Sequence, residues 1–335
     1  MTSPSDLAID LHQVTKIYRG RVHALRGIDM HVRRGEVFGL LGPNGAGKST
    51  LVKIIMTVIR PTRADGNVLG RPVGHKPTLA RVGYLPENHR FPRYLTGRQT
   101  LDFFAALAKV PRAIRKRNAA RLLEIVGMSA WADKRIGTYS KGMMQRIGLA
   151  QAMMNDPDLI LLDEPTDGVD PVGRREIRDV LASLRAAGKT VFINSHLLSE
   201  LEMICDRVAI LVGGQVASQG TLDELALGKG WYEVQLAGDP NGRLSALLPQ
   251  LQQSAPKLVH NGDLLQLDTT DPAAIQSVLD HLRSAGLVIR RVQPIRPSLE
   301  DLFMAAVQQP GGARALPGAQ LTPSPGGRGE PQENA

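Results

Sequence analysis

The sequence predicts an α/β fold with a parallel sheet buried on both faces, followed by a smaller α+β domain. Three observations carry this reading. The runs Glu36 to Leu41, Leu159 to Leu162, Thr190 to Asn194 and Val208 to Val212 are apolar with almost no polar alternation, the pattern of strands covered on both sides. Helical patterning fills much of the chain between them. From Trp231 onward the apolar residues alternate instead, which marks a second kind of sheet.

Taken in order, Glu36 to Leu41 is a strand that ends in a glycine-rich turn, and Ser49 to Ile59 is a helix stopped by Pro61. Residues 96–155 are mainly helical, with helices at Thr100 to Lys109 and Arg117 to Val126. After the strands at 159 and 190, Val208 to Val212 closes on the Gly213-Gly214 turn. Residues 7–220 thus form one α/β domain, and 221–230, with Gly228 and Gly230, read as a linker. In 231–307 the strands are Trp231 to Leu236, Leu264 to Leu267 and Leu287 to Val292. The helices are Asp271 to Ala285 and Ser298 to Val307, the second with Ser298 as N-cap and Asp301 three residues on. Residues 308–335 hold five Pro and six Gly and no apolar period, so a disordered tail is expected. No internal repeat is present.

With 335 residues, 42% of them hydrophobic, the chain has material for a sizeable core. The surplus of 41 Lys and Arg over 32 Asp and Glu suits phosphate ligands, anionic lipid or nucleic acid without choosing among them. The single Cys205 excludes a disulfide within the chain and fits a reducing compartment. No run of 18 uncharged apolar residues is present, so no spanning helix is expected. The acidic, polar N-terminus does not read as a signal peptide.

Gly42-Pro43-Asn44-Gly45-Ala46-Gly47-Lys48-Ser49-Thr50 fits G-x-x-x-x-G-K-[ST] between a strand and a helix. Glycines let backbone N–H groups curl around phosphate oxygens, and the following helix adds its positive end. Lys48 is then placed to reach the β- and γ-phosphates, and Ser49 to ligate Mg²⁺. The apolar strand from Leu159 delivers Asp163 and Glu164 at its carboxyl end, where ligands sit in open α/β sheets. One acid can hold the Mg²⁺ shell and the next can orient a water on the γ-phosphate.

These residues resemble the ATP-binding subunits of ABC transporters. What narrows the match is Tyr139-Ser140-Lys141-Gly142-Met143-Met144-Gln145-Arg146, similar to the signature segment L-S-G-G-Q, with Ser140 and Gly142 on the positions that contact γ-phosphate. Tyr139, Lys141 and Met143 depart from that pattern. In family order, Tyr18 resembles the aromatic that stacks on adenine. Glu87, in Gly83 to Glu87, stands where the family usually has a Gln that helps hold Mg²⁺. Gly168-Val169-Asp170 resembles the loop that meets the partner subunit, and His196 the switch histidine. The resemblance implies a RecA-like core with a helical subdomain over about 7–220. It implies an ATPase in which two such domains pair head to tail, with ATP and Mg²⁺ between them. Glu164 is then the general base, His196 the γ-phosphate partner, and Lys48 the neutralising cation. Asp163 holds Mg²⁺ through water. A homodimer is the simple expectation.

Arg296 to Phe303 (RPSLEDLF) resembles the end of the accessory domain of ABC-2 type exporter ATPases. That implies export through separate integral membrane permease subunits, with the chain peripheral on the cytoplasmic face of the cell membrane. Lys109 to Arg121 holds six basic residues and no acid, suited to a solvated helix face or to anionic lipid. A soluble ABC ATPase acting on nucleic acid or ribosomes is the alternative. Only the charge favours it, and no nucleic-acid partner is expected.

Overall fold

The apolar runs become the centre of the molecule. In a computed structural model that describes residues 6–238, 242–255 and 257–308, strands β3 (Val37–Leu41), β7 (Leu159–Asp163), β8 (Thr190–Asn194) and β9 (Arg207–Val212) are buried at every residue. With β6 (Val82–Leu85) and β10 (Gln215–Gly220) they form a six-stranded sheet in the order β10-β9-β3-β8-β7-β6. All neighbours pair in parallel except the β10 edge. Successive side chains point to opposite faces, so the strands feed two cores. Phe38, Leu40, Leu161 and Phe192 pack on one side with α1 (Lys48–Ile55). Val37, Leu41, Ile160, Leu162, Val191, Ile193 and Ile210 pack on the other. There they meet α4 (Lys141–Ala152), α5 (Pro171–Ala186) and α6 (Leu198–Ile204).

The first core is closed by a second, antiparallel sheet that the sequence reading did not resolve. It comprises β1 (Leu7–Tyr18), β2 (Val22–Arg33), β4 (Arg63–Val68) and β5 (Arg71–Pro72), in the order β2-β1-β4-β5. The helical region holds α2 (Gly97–Leu107), α3 (Arg112–Ile125) and α4. Helix α1 ends at Ile55, four residues short of the expected end. Thr57 takes a left-handed φ of 57°, and the N–H groups of Val58 and Ile59 both turn back to the Lys53 carbonyl.

Residues 221–230 contain the short helix α7 (Leu222–Ala226), started by a capping box between Thr221 and Glu224. The second domain is a four-stranded antiparallel sheet, β12-β13-β11-β14, formed by β11 (Trp231–Leu236), β12 (Leu258–Asn261), β13 (Leu264–Leu267) and β14 (Ile289–Ile295). Val234, Leu236, Leu265 and Leu267 face α8 (Arg243–Ser254) and α9 (Pro272–Ser284) in a core of their own. Helix α10 (Leu299–Gln308), the last among the described residues, leaves that core. Ser298 caps it, accepting from the Asp301 N–H at 3.2 Å and donating to its carboxylate at 2.6 Å. Its Leu299, Leu302 and Ala306 are buried in the ATPase-side core, against α6 and β9. The expected disordered tail, beyond Gln308, lies outside the described residues.

Candidate functional site

Four adjacent parallel strands, β3, β8, β7 and β6, deliver the chemistry-bearing residues from their carboxyl ends. Out of β3 comes the glycine-rich loop. Gly42 lies flush against β9: a Cβ there would stand 2.4 Å from the Leu211 carbonyl oxygen. Gly47 has φ 108°, and a Cβ would come within 2.5 Å of the Ala24 carbonyl oxygen. Both positions therefore require glycine. The buried Lys48 reaches back along the loop and donates to the carbonyls of Gly42 at 2.6 Å and Pro43 at 3.3 Å. Burial pulls its ammonium below the ordinary lysine range, while the carboxylates of Glu164, Asp163 and Glu87 act in the opposite sense. Ser49 is exposed at the head of α1 beside Thr50, whose hydroxyl lies 3.5 Å from the Tyr18 hydroxyl. Tyr18, 37% exposed, carries the Lys16 ammonium 4.9 Å over its ring.

Strand β7 ends in Asp163. Asn194, at the end of β8, donates its side-chain amide to Asp163 Oδ1 and its backbone carbonyl accepts from the Glu164 N–H at 2.8 Å. Burial pushes the Asp163 carboxyl above the usual range, against that hydrogen bond, and the charges of Glu87 and Glu164 raise it further. Glu164 itself sits at φ 52°, a left-handed conformation that costs a non-glycine residue about 1–2 kcal/mol. Several bonds hold it there. Gln145 donates to its carbonyl at 2.9 Å and Ser195 Oγ to Oε2 at 3.1 Å. His196 Nδ1 lies 2.9 Å from the same Oε2. The other oxygen, Oε1, makes no hydrogen bond among the described residues. Glu87 is exposed just beyond β6, facing Lys48 and Asp163 electrostatically.

Gly42 to Thr50, Glu87, Asp163, Glu164 and His196 are thus brought to one end of one sheet, and Tyr18, from β1 of the antiparallel sheet, meets them at Thr50. Ser140 and Gly142 are not brought there. They start α4, where Ser140 Oγ accepts from the Met143 N–H at 3.2 Å. No hydrogen bond or ion pair among the described residues joins them to the glycine-rich loop. The departures from the signature pattern have local partners. Tyr139 donates to the Trp131 carbonyl at 2.6 Å, and Lys141 binds Asp167 at 2.7 Å. Asp170, in the loop expected at the partner interface, caps α5 by accepting from the Gly173 N–H at 2.9 Å. Sequence reasoning missed Asn194 and Ser195 as supports of the two acids. The available signal was a second apolar strand ending in polar residues beside the first.

The donor set suits a divalent cation. Three carboxylates, Glu87, Asp163 and Glu164, face one buried lysine. Asn194 Oδ1, buried and without a partner among the described residues, is an acceptor placed for a metal-bound water. No group of three or more His, Cys, Asp or Glu among the described residues forms a ready metal cage. A Mg²⁺ ion held by these residues would take much of its coordination from phosphate oxygens and water.

Residues 25–167 match the ABC transporter family model, and 220–307 match the C-terminal domain of DrrA1-3-like ATP-binding proteins. An uncharacterized ABC transporter ATP-binding protein of Synechocystis sp. is 39% identical over 311 residues, 90% of this chain and 85% of the relative. The daunorubicin resistance ATP-binding protein DrrA3 of Streptomyces coeruleorubidus is 34% identical over 303 residues, 90% of this chain and 96% of its own. The Nod factor export ATP-binding protein I of Rhizobium sp. is 36% identical over 306 residues, covering 90% and 97%. Among solved structures, an ATP binding subunit of an ABC transporter superposes with TM-score 0.60 at 27% identity, covering 66% of this chain and 92% of that one. The cbiO1 protein of Clostridium perfringens superposes with TM-score 0.61 at 26% identity, covering 74% and 98%. The chain belongs to the ATP-binding proteins of ABC transporters, its ATPase domain followed by a DrrA1-3-like C-terminal domain.

Proposed function

We propose that this chain hydrolyses ATP to drive export of a cargo through separate membrane permease subunits, from the cytoplasmic face of the membrane. The observation that carries the reading is the convergence of Lys48, Asp163, Glu164 and His196 at the carboxyl ends of adjacent strands. The export direction rests on the DrrA1-3-like domain and on relatives named for drug resistance and Nod factor export. No helix of the described residues is long and apolar enough to cross a membrane, so the permeation path is assigned to partner subunits.

In this reading Lys48 exchanges the carbonyls of Gly42 and Pro43 for β- and γ-phosphate oxygens. Ser195 and His196 hold Glu164 by Oε2, which leaves Oε1 to accept a proton from the attacking water. His196 then bridges that carboxylate and the γ-phosphate. Ser49, Asp163 and Glu87 are the residues that would hold Mg²⁺, which when bound offsets phosphate charge. Tyr18 offers its ring to the adenine. Ser140 keeps its hydroxyl proton free while its oxygen caps α4. Among the described residues it makes no bond to its own chain's phosphate loop, which supports a head-to-tail homodimer with two ATP sites in which Ser140 and Gly142 complete the site of the second copy.

The test is Glu164→Gln. ATP binding is retained, hydrolysis falls by orders of magnitude, and an ATP-dependent dimer accumulates in size-exclusion chromatography. Hydrolysis at the normal rate would remove Glu164 from its role. Affinity purification of the full chain from detergent-solubilised membranes should bring down a stoichiometric multi-span protein. Recovery with ribosomes or nucleic acid instead would overturn the export reading.

A further inference from the structure

Outside the ATP site, the most distinctive surface is a cleft of about 630 Å³ between the α2–α3 connection and the turns that precede β6 and β7. Lys109, Arg117 and Arg121 line it, with Ala80, Asn155 and Asp156 on the opposite wall. Ala80 lies just before β6 and Asp156 just before β7. The cleft is therefore at the amino-terminal end of the parallel strands, whereas the ATP site is at their carboxyl ends.

The charges in this cleft are unbalanced. No acid occurs between Asp102 and Glu124. Of the six basic residues from Lys109 to Arg121, Arg115 is spent on Asp102 at 2.9 Å. Lys109, Arg112, Lys116, Arg117 and Arg121 make no ion pair among the described residues. The one carboxylate in the lining, Asp156, is already neutralised by Lys189 at 2.9 Å. The amides are spent as well, Asn118 on the Met154 carbonyl and Asn155 on the Ala80 carbonyl. Lys109 holds φ 59° immediately after α2, where glycine is the favoured residue. The cleft is thus cationic and open, with donors that have no acceptor.

Its rim favours one kind of anion. Ile114 lines it at 39% exposure, beside Val110 and Pro111, and Leu107 stands 65% exposed two residues before Lys109. Aliphatic side chains beside unpaired cations fit a membrane surface, where headgroup phosphates meet the cations and acyl chains meet the apolar rim. Single-stranded nucleic acid would be served by aromatic stacking platforms, and the lining holds no aromatic residue; duplex DNA is told apart by comparing its binding with that of anionic vesicles. We infer that this cleft binds the headgroups of anionic phospholipids and seats the chain against a membrane independently of its permease partners. The inference does not depend on export, because the binding requires neither nucleotide nor permease.

The full-length chain, without nucleotide, is to be sedimented with vesicles of phosphatidylcholine mixed with phosphatidylglycerol in equal parts, and with phosphatidylcholine alone. Binding is expected only to the anionic vesicles. It should fall steeply as salt shortens the Debye length from about 10 Å at 0.1 M toward about 3 Å at 1 M. It should persist in inorganic phosphate at matched ionic strength, which separates a lipid surface from a free phosphate as the ligand. Each exposed cation removed should weaken binding roughly fivefold, so the triple variant Lys109→Gln, Arg117→Gln, Arg121→Gln should lose about a hundredfold. ATP hydrolysis in that variant should be unchanged, which also reports that it folds. Equal binding to neutral vesicles, unchanged binding by the variant, displacement by inorganic phosphate at matched ionic strength, or tighter binding to duplex DNA than to anionic vesicles would each overturn the assignment.

Discussion

Glycine at position 164 is expected to give a more stable protein than alanine, the reverse of the usual order. Glu164 is held at φ 52°, where an L-residue with a Cβ pays about 1–2 kcal/mol that glycine escapes. Against this, glycine loses about 0.4–1 kcal/mol through the greater freedom of its unfolded chain. Both variants give up the same carboxylate, and with it the bonds from Ser195 at 3.1 Å and His196 at 2.9 Å. Both keep the backbone bonds to Asn194 and Gln145. These terms cancel in the comparison, leaving a net preference for glycine of about 0.5–1 kcal/mol. Urea denaturation of the nucleotide-free chain would read this as a shift in midpoint at constant slope. Ala120→Gly on the exposed face of α3 provides the internal control. There the sign should be opposite, with a cost of about 1 kcal/mol. Both position-164 variants should be hydrolytically inactive. If the alanine variant proves as stable as the glycine variant or more so, no backbone strain is stored at Glu164, and its conformation needs another explanation.

Three further outcomes follow from particular contacts. Gly47→Ala places a Cβ 2.5 Å from the Ala24 carbonyl oxygen at φ 108°. It should abolish binding of a fluorescent ATP analogue and lower stability by more than about 2 kcal/mol. The pair Glu36–Arg207, at 3.3 Å with both side chains under 10% exposed, is a buried salt bridge. Glu36→Ala alone should cost about 3 kcal/mol in chemical denaturation, whereas Glu36→Met combined with Arg207→Met should recover most of it. Cys205 packs its sulfur against Gly39, and burial pushes the thiol far above its ordinary pKa. A thiol reagent at neutral pH should label this partly buried residue much more slowly in the native chain than in denaturant, and equal rates would mean that α6 opens on the timescale of the assay.

Much of the architecture could be read before folding because the relevant residues are neighbours in the chain. Strands β3, β7, β8 and β9 are apolar on both sides, and both sides are buried. β11 and β13 begin and end where the alternation does. The antiparallel sheet of β1 and β2 was harder to see. Its register shifts between Leu11 and Val14, next to Gln13 at φ 48°, and that irregularity breaks the two-residue period. Helix α1 misled in the other direction: apolar Val58 and Ile59 continued the pattern after the backbone had already turned at Thr57, leaving Val58 69% exposed. At the site, Gly42 to Thr50 and the acids at 163 and 164 are contiguous motifs and were legible. The residues that aim them were not. Asn194 and Ser195 act on acids 31 positions away, and Gln145 on a carbonyl 19 positions away. Nothing in their residue types signals this until β7 and β8 are paired.

The course of α10 bears on how such a chain is made. Leu299, Leu302 and Ala306 sit in the same core as Ile193 and Ile210, yet they are synthesised about a hundred residues later than those strands. An ATPase half released at Ala226 would carry an uncovered apolar groove over α6 and β9. It would be prone to self-association rather than to act as a smaller working enzyme. This core is therefore covered only when α10 has emerged. Products that stop short of residue 299 would lack that cover, and are expected to be cleared faster than the full chain.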